Sequence, residues 1–229
     1  MTKPILYSNH ESSHRSGIVR ALAPMAVALG LFVAVYVPAF VVVSVMRPSP
    51  QIAIPVIIAI SLVIALALIV LQARRGVGLA QFGFRWPNMR QVGTGLLIGV
   101  PLASAVAWLS HVFPSESPLD TSVLPLWMLV VYFGAGSPIQ EEVIFRGLLQ
   151  SFLARRWPSM FAVAGFPMSA AVLFAAILFG IVHLGSGAAV FVGALLLGLV
   201  AGELRRRSGS LVPAIIVHAL FNVPGLIWR

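Results

Sequence analysis

The hydrophobic pattern of this chain consists of long apolar runs separated by short polar segments that carry most of the charges. Crossing a hydrocarbon core of about 30 Å takes about 20 helical residues, and most of the runs reach that length. Backbone polar groups in lipid must be satisfied within the segment, so these runs predict transmembrane helices. The predicted spans are residues 21–46, 51–72, 91–113, 122–154, 160–184, 187–204 and 210–228. The pattern therefore predicts an all-α polytopic transmembrane helical bundle of about seven spans.

The predicted bundle accounts for nearly the whole chain. Residues 1–19 are polar and predict a disordered cytoplasmic tail, whereas residues 20–229 predict a single transmembrane domain. Of the 229 residues, 59% are hydrophobic and 9% are charged, whereas soluble domains carry about 25% charged residues. The chain has no cysteine. Its absence excludes disulfides, thiolate nucleophiles and zinc–thiolate sites.

The basic side chains lie between the apolar runs and predict an orientation. If seven spans alternate and the N-terminus is cytoplasmic, twelve Lys and Arg side chains fall inside and two outside. Cytoplasmic loops of membrane proteins show this excess of positive charge. The net charge of +9 therefore indicates membrane topology, and we predict no nucleic-acid partner. We expect a multi-pass protein of the cell membrane, which in bacteria would be the inner membrane.

The loop after the second span is aromatic and basic, and two interpretations of it stay open. It runs from residue 76 to residue 87 and contains four large apolar side chains, which are Leu79, Phe82, Phe84 and Trp86. An interfacial segment on the cytoplasmic leaflet would place such side chains in the headgroup region. An ordinary loop within the aromatic belt fits the same residues.

Three charged side chains interrupt the fourth apolar run, namely Glu141, Glu142 and Arg146. A carboxylate at bilayer depth costs several kcal/mol unless it is paired or faces a polar cavity, which makes it a functional-site hypothesis. On a helix, Glu142 and Arg146 are four residues apart and can form an ion pair. Glu141 is rotated by about 100° from its neighbour and is left for chemistry. The structural alternative is a salt bridge that only holds two helices together.

The segment ahead of the two glutamates allows two local structures. Ser137 could cap a new helix, with Pro138 in its first turn and Gln140 bonding back to the cap. Alternatively, Pro138 lies at a kink within one continuous helix.

Two further polar groups lie in the later spans. His183 ends a long apolar run, with Phe179 one turn before it, and His218 and Asn222 are four residues apart in the last span. A single membrane histidine is more often a hydrogen-bonded packing residue than a catalyst. Here almost every neighbouring position is apolar, and the joint occurrence indicates a shared polar site.

The expected depths of Glu142 and Asn222 agree. His183 lies about 24 Å from Pro167 and agrees with them if its helix begins there, but it lies further towards the far side if the helix begins at Met160. With a rise of 1.5 Å per residue, Glu142 lies about 20 Å from Arg155 at the predicted cytoplasmic edge. Asn222 lies about 18 Å beyond Ser210, which is also predicted to be cytoplasmic. The expectation is therefore a cavity in which the polar groups meet around one water, open to the cytoplasm.

These residue types predict peptide-bond hydrolysis. A carboxylate in apolar surroundings can take a proton from water, and a neutral histidine can orient that water. A second histidine and an amide can donate hydrogen bonds to the oxyanion of a tetrahedral intermediate. No serine or cysteine nucleophile is evident at a comparable position. The alternative is a metal mechanism, with zinc as the candidate cofactor and Glu141, His183 and His218 as candidate ligands.

The three motifs resemble, in the same order, those of the CAAX prenyl protease 2 and bacteriocin-processing intramembrane endopeptidases, known as the CPBP or Abi family. They are Glu141-Glu142-x-x-x-Arg146, Phe179-x-x-x-His183 and His218-x-x-x-Asn222. The resemblance covers roughly residues 76–225 and implies an intramembrane glutamic endopeptidase acting on a membrane-associated peptide or protein.

The resemblance also implies a role for each motif residue. Glu141 would be the base that activates water, with His183 beside it, and His218 and Asn222 would form the oxyanion hole. The supporting residues would be Glu142, Arg146 and Phe179.

Two hypotheses from other classes remain beside the protease. A non-catalytic bacteriocin-immunity or membrane binding protein could retain the motif residues as a polar core. A small transporter could use the two glutamates as a proton relay, although no inverted repeat is evident in the sequence.

Overall fold

The computed structural model describes residues 9–112, 123–163 and 165–227, and most of these residues are helical. The helices are α1 (Asn9–Met46), α2 (Pro50–Gln72), α3 (Met89–Val112), α4 (Leu126–Val131), α5 (Ser137–Glu142), α6 (Ser151–Arg156), α7 (Ala170–His183), α8 (Ala188–Ser208) and α9 (Val212–Ile227). The prediction of an all-α bundle is confirmed. Helix α1 begins inside the segment predicted as a disordered tail, and residues 1–8 of that segment lie outside the described part.

Four helices within the described ranges are long and apolar enough to cross a membrane. They are Leu22–Met46, Pro50–Val77, Met89–Trp108 and Ala188–Ser208. Two shorter apolar helices are Ala170–Ser186 and Val212–Leu226. These helices fit a membrane protein, while seven spans and a cytoplasmic N-terminus stay predictions.

Helices α4, α5 and α6 form one continuous helix, which we call the central helix (residues 126–156). Two π-helical stretches, Tyr132–Gly136 and Val143–Gln150, join the three α-helical parts. Ser137 has helical dihedral angles (φ −63°, ψ −48°), and the start of α5 has no side-chain cap. The interpretation of Ser137 as a helix cap is therefore wrong, and Pro138 lies within one continuous helix. π-helical stretches are often found at functional sites.

The fifth predicted span begins later than expected. Residues Met160–Val163 (β1) and Phe166–Ser169 (β2) form a two-stranded antiparallel hairpin, and α7 starts only after it. Pro167 has no backbone N–H to donate and would break a helix over this stretch. Gly165 has a φ of +82°, which glycine adopts without steric cost. The helix predicted over 160–184 is consequently short, and His183 is its last residue.

The central helix lies in the core of the bundle. Every residue from Glu142 to Leu153 is buried, and its second π-helical stretch contacts α1, α2, α7 and α8. Helix α3 packs on α9 at Gly99, where an added Cβ would lie 2.6 Å from Leu220. Such glycines let helix backbones approach closely in membranes. Helix α9 also contacts the first half of the central helix.

One end of the bundle carries most of the arginines, and we call it the arginine end. Here the connection between α2 and α3 meets the end of α6 and the turn between α8 and α9. Arg155 donates to Gln72 Oε1 (3.0 Å) and Arg205 donates to the Gln81 carbonyl (2.8 Å). The arginines of this end are Arg74, Arg75, Arg85, Arg90, Arg155, Arg156, Arg205, Arg206 and Arg207.

The aromatic loop after α2 is divided between the core and the surface. Phe82 is fully buried, and the Arg155 guanidinium lies 4.7 Å from its ring centroid. Trp86 is 92% exposed, and Leu79 and Phe84 are also exposed. Phe82 therefore packs inside the bundle, and only the other three side chains fit either interpretation of the loop.

Candidate active site

Glu142 is buried between Arg146 and His218. Its Oε2 atom lies 3.1 Å from Arg146 Nε, and its Oε1 atom lies 2.8 Å from His218 Nδ1. A carboxylate only accepts hydrogen bonds, so Nδ1 of His218 is the donor. The Glu142–Arg146 pair predicted from helical spacing is confirmed. The bond to His218 fixes that ring with its Nε2 atom towards Glu141.

Phe179 packs against the guanidinium of Arg146, whose charge lies 4.6 Å from the ring centroid. Within the described residues, Nη1 and Nη2 of Arg146 have no hydrogen-bond partner. A cation over an aromatic face in an apolar site is stabilised by about 2 kcal/mol. The Phe179 ring also meets His218 edge-on, with 5.6 Å between centroids. Phe179 thus gives the buried charge a partner and supports the histidine.

Glu141 is placed differently from its neighbour. Its side chain is 15% exposed, and its Oε1 atom accepts a hydrogen bond from Ser137 Oγ at 2.6 Å. Its Oε2 atom lies 3.7 Å from His218 Nε2, which is too far for a hydrogen bond. That oxygen has no hydrogen-bond partner within the described part of the chain. This oxygen is itself buried, and it can accept a hydrogen bond only from a group that enters the site.

Removing the Ser137 hydroxyl is expected to slow peptide cleavage by about 10- to 100-fold, because a hydrogen bond to a charged group contributes about 1.5–3 kcal/mol. The Ser137→Ala variant leaves Glu141 without its only observed donor among the described residues. The measurement is kcat on purified protein. Ser104→Ala is the matched control, since that hydroxyl bonds only the backbone of its own helix. Equal rates for the two variants would contradict a positioning role for Ser137.

Among the described residues, one ring nitrogen of His183 has a hydrogen-bond partner and the other has none. Its Nδ1 atom lies 2.7 Å from the Phe179 carbonyl, and its ring centroid lies 4.7 Å from that of Phe179. A carbonyl only accepts, so Nδ1 carries a proton. In the neutral ring, Nε2 is then an acceptor. A half-buried histidine with a free acceptor can hold a water by one of its protons.

Asn222 is bonded to the central helix through a carbonyl that Pro138 leaves free. The Ser137 N–H donates to the Tyr132 carbonyl in the π-helical register. The next amide in that register belongs to Pro138, which has no N–H. Asn222 Nδ2 donates to the corresponding carbonyl, that of Phe133, at 2.9 Å. This bond fixes the amide and leaves its second N–H available.

The fold and the contacts are consistent with one known family. The sequence model described as Type II CAAX prenyl endopeptidase Rce1-like matches residues 122–224. These residues form an Rce1-like domain. The family is a peptidase family, and the predicted resemblance and enzyme class are confirmed. No curated protein and no solved structure matches the chain.

The structure places the predicted residues of the Rce1-like domain in two groups. One group is in direct contact and consists of Glu141, Glu142, Arg146, Phe179 and His218. The other two residues reach this group indirectly. His183 is hydrogen-bonded to the Phe179 carbonyl, and Asn222 is hydrogen-bonded to the Phe133 carbonyl of the central helix. Within the described ranges, no group of three or more His, Asp or Glu side chains is arranged to hold a metal ion. Zinc bound by Glu141, His183 and His218 stays a hypothesis.

The Rce1-like domain also contains polar contacts that the motifs do not include. Gln140 is buried, and its Nε2 atom donates to Ser61 Oγ at 2.9 Å and lies 3.4 Å from the Tyr36 hydroxyl. Its expected capping role is therefore wrong, because the side chain reaches α1 and α2 instead. The available signal was the presence of Tyr36 and Ser61 in otherwise apolar spans. These bonds fix the rotation of the helix that carries both glutamates.

Proposed function

We propose that this chain is an intramembrane endopeptidase in which Glu141 takes a proton from the water that attacks a peptide bond. The observation that carries the proposal is the contrast between the two glutamates. Glu142 is paired with Arg146 and His218, whereas Glu141 has no cationic partner of this kind and keeps one buried oxygen without a hydrogen bond among the described residues. A general base must be able to reach the proton that it abstracts.

The attacking water would be shared between Glu141 and His183. One proton of the water is taken by the carboxylate as its oxygen bonds to the carbonyl carbon of the substrate. The other proton can donate to Nε2 of His183, since Nδ1 is engaged by the Phe179 carbonyl. Glu141 then gives its proton to the leaving amine as the peptide C–N bond breaks. The acid and base steps thus return the carboxylate to its initial state.

The developing oxyanion would be stabilised by Asn222 and His218. Asn222 has an N–H left after its bond to Phe133. His218 becomes a donor at Nε2 when that nitrogen also carries a proton, and the Glu142 carboxylate balances the resulting charge. Donors fixed in advance at the oxyanion contribute about 2.7–4 kcal/mol each in such sites.

A comparison of peptide termini tests the proposal and identifies substrates. Membranes of cells that produce the wild type, Glu141→Ala or His183→Ala are analysed by mass spectrometry for new peptide termini. We expect a set of termini that is present only with the wild type, in membrane-associated peptides or proteins. A purified prenylated CAAX peptide is the first direct substrate to assay, given the family. Identical termini in all three samples, with no cleavage of that peptide, would instead indicate a non-catalytic membrane protein.

The proposed mechanism uses no metal, and treatment with a chelator is expected to leave the rate of cleavage unchanged. Glu141 and His183 supply the base and the water acceptor, and Asn222 and His218 supply the electrostatic stabilisation. Purified protein is dialysed against 1,10-phenanthroline and assayed before and after addition of zinc. A rate that is lost with the chelator and returns with zinc would favour the zinc mechanism.

A further inference from the structure

We propose that α1 and α2 complete the candidate active site by setting the rotation of the central helix that carries Glu141. Tyr36 of α1 and Ser61 of α2 are the positioning residues, and both act through Gln140. The two helices lie outside residues 122–224, which match the family model. The inference rests on the proposed function, because it gives these side chains a part in placing the general base.

Gln140 is joined to α2 by a hydrogen bond of defined polarity. The Ser61 hydroxyl donates to the Ile57 carbonyl at 2.6 Å, so its oxygen accepts the bond from Gln140 Nε2 at 2.9 Å. Ser61 is fully buried, and Gln140 is 2% exposed. A buried amide that loses its acceptor keeps the whole cost of its desolvation. Rotation of the central helix away from Ser61 is therefore opposed.

Ser61 has an unusual position for a polar residue. Between Ile52 and Leu71 it is the one residue with a polar side chain. Polar groups in the middle of a membrane helix are costly, and they usually face a partner in the bundle. Among the described side chains, the partner of Ser61 is Gln140, the residue directly before the proposed base.

Tyr36 contacts the central helix at two points, one on each side of the two glutamates. Its hydroxyl lies 3.4 Å from Gln140 Nε2, and its ring centroid lies 6.1 Å from that of Phe145. Phe145 meets Phe179 edge-on at 4.9 Å, and the Phe179 ring lies 4.7 Å from that of His183. One side chain of α1 therefore holds the segment with the glutamates and reaches His183 through two aromatic rings.

The size of a possible displacement of Glu141 decides whether these contacts matter for the rate. Adjacent helical residues are about 100° apart, and Gln140 reaches α1 and α2 while Glu141 points towards His218. Side-chain ends lie about 5–6 Å from the helix axis, so a rotation of about 10° moves them by about 1 Å. A misplacement of about 1 Å can lower the rate of an enzyme by about 10²-fold.

Ser61→Ala removes the acceptor of Gln140 and is expected to lower kcat by about 10- to 100-fold, with KM within about twofold of the wild type. The rates are measured on purified protein in lipid nanodiscs. The substrate is the prenylated CAAX peptide or, if that is not cleaved, a peptide spanning a terminus found only in wild-type membranes. Ser104→Ala is the matched control and should keep the wild-type rate. Ser104 also donates to the carbonyl four positions before it, and it has no side-chain partner among the described residues.

Tyr36→Phe is the second variant and tests the same contact if Ser61→Ala does not accumulate in the membrane. It keeps the ring against Phe145 and removes only the hydroxyl. Because the contact with Gln140 is long, kcat is expected to fall by about 2- to 10-fold.

A change of background separates positioning from stability. Ser61→Ala is added to Glu141→Gln, and the residual rates are compared over long incubations. Residues that act through one group are not additive, so the added change should cost less than about threefold. A loss of stability alone would lower the folded fraction, and hence the rate, by the same factor in both backgrounds, and that result would overturn the proposal.

The same set of variants separates this inference from the proposed function. A slow Glu141→Gln beside wild-type values of kcat for Ser61→Ala and Tyr36→Phe would overturn the positioning role and leave the proposed base intact. A full rate for Glu141→Gln would contradict the proposed function, and the inference with it.

Discussion

Replacement of Glu141 by glutamine is expected to lower the rate of peptide cleavage by about 10²–10⁴-fold, which is the usual contribution of a general base. The amide has the shape of the carboxylate, and its oxygen can still accept the Ser137 hydrogen bond. It cannot take a proton from water at neutral pH. The loss should therefore appear in kcat, with little change in KM or in thermal stability. The measurement is the initial rate of purified protein in lipid nanodiscs, over a range of substrate concentrations.

The matched control removes a different carboxylate from the same membrane protein. Glu203 forms an exposed ion pair with Arg206 (2.6 Å) at the arginine end of α8. Glu203→Gln changes the net charge as Glu141→Gln does and is expected to keep the wild-type rate. A full rate for Glu141→Gln would contradict the proposed base, whatever the result of the control. A loss of rate in both variants would show that the assay responds to net charge.

The division between the two glutamates could be predicted because it depends on local geometry. Glu142 and Arg146 are four residues apart, and their ion pair forms although Arg146 lies in a π-helical stretch. Side chains three or four positions apart lie on the same face of a helix. The all-α class could also be predicted, because the length of an apolar run decides whether the segment can cross a bilayer as a helix.

Partners from distant segments could not be predicted from the sequence. His218 meets Glu142 across 76 positions, and Gln140 meets Ser61 across 79. Such contacts depend on the rotation of each helix about its axis and on which helices are neighbours. An apolar pattern that covers the whole helix surface has no period and gives neither quantity.

Hydropathy also failed where an apolar segment was not a span. Residues 160–169 are mostly apolar, as a membrane helix would be, yet they form a hairpin. Pro167 has no backbone N–H to donate to a helical hydrogen bond, which disfavours a helix over this segment. Phe82 was expected at the membrane surface and is buried beneath Arg155. Backbone hydrogen bonding decided the first case and a single tertiary contact decided the second. Mean hydropathy reports neither of them.

Removal of Arg146 is expected to destabilise the fold by about 3–5 kcal/mol, because it leaves a buried carboxylate without its cation. Glu142 is fully buried, and His218 would be its only remaining partner among the described residues. Arg146→Met keeps the approximate volume of the side chain and its contact with Phe179. The measurement is the free energy of unfolding in mixed micelles with increasing SDS, followed by tryptophan fluorescence. Arg207 is 69% exposed and forms an ion pair with Glu203. Arg207→Met, which removes this exposed pair, should change the free energy of unfolding by about 0–1 kcal/mol.

The double variant Glu142→Gln/Arg146→Met separates stability from catalysis at the same pair. Without either charge, much of the lost stability should return, since a buried pair can be replaced by neutral groups at little cost. Cleavage should stay slow, because a neutral amide cannot balance the charge that His218 acquires when it donates at Nε2. A double variant as unstable as Arg146→Met would contradict the charge argument. Restored stability together with a wild-type rate would show that the Glu142–His218 bond has no part in catalysis.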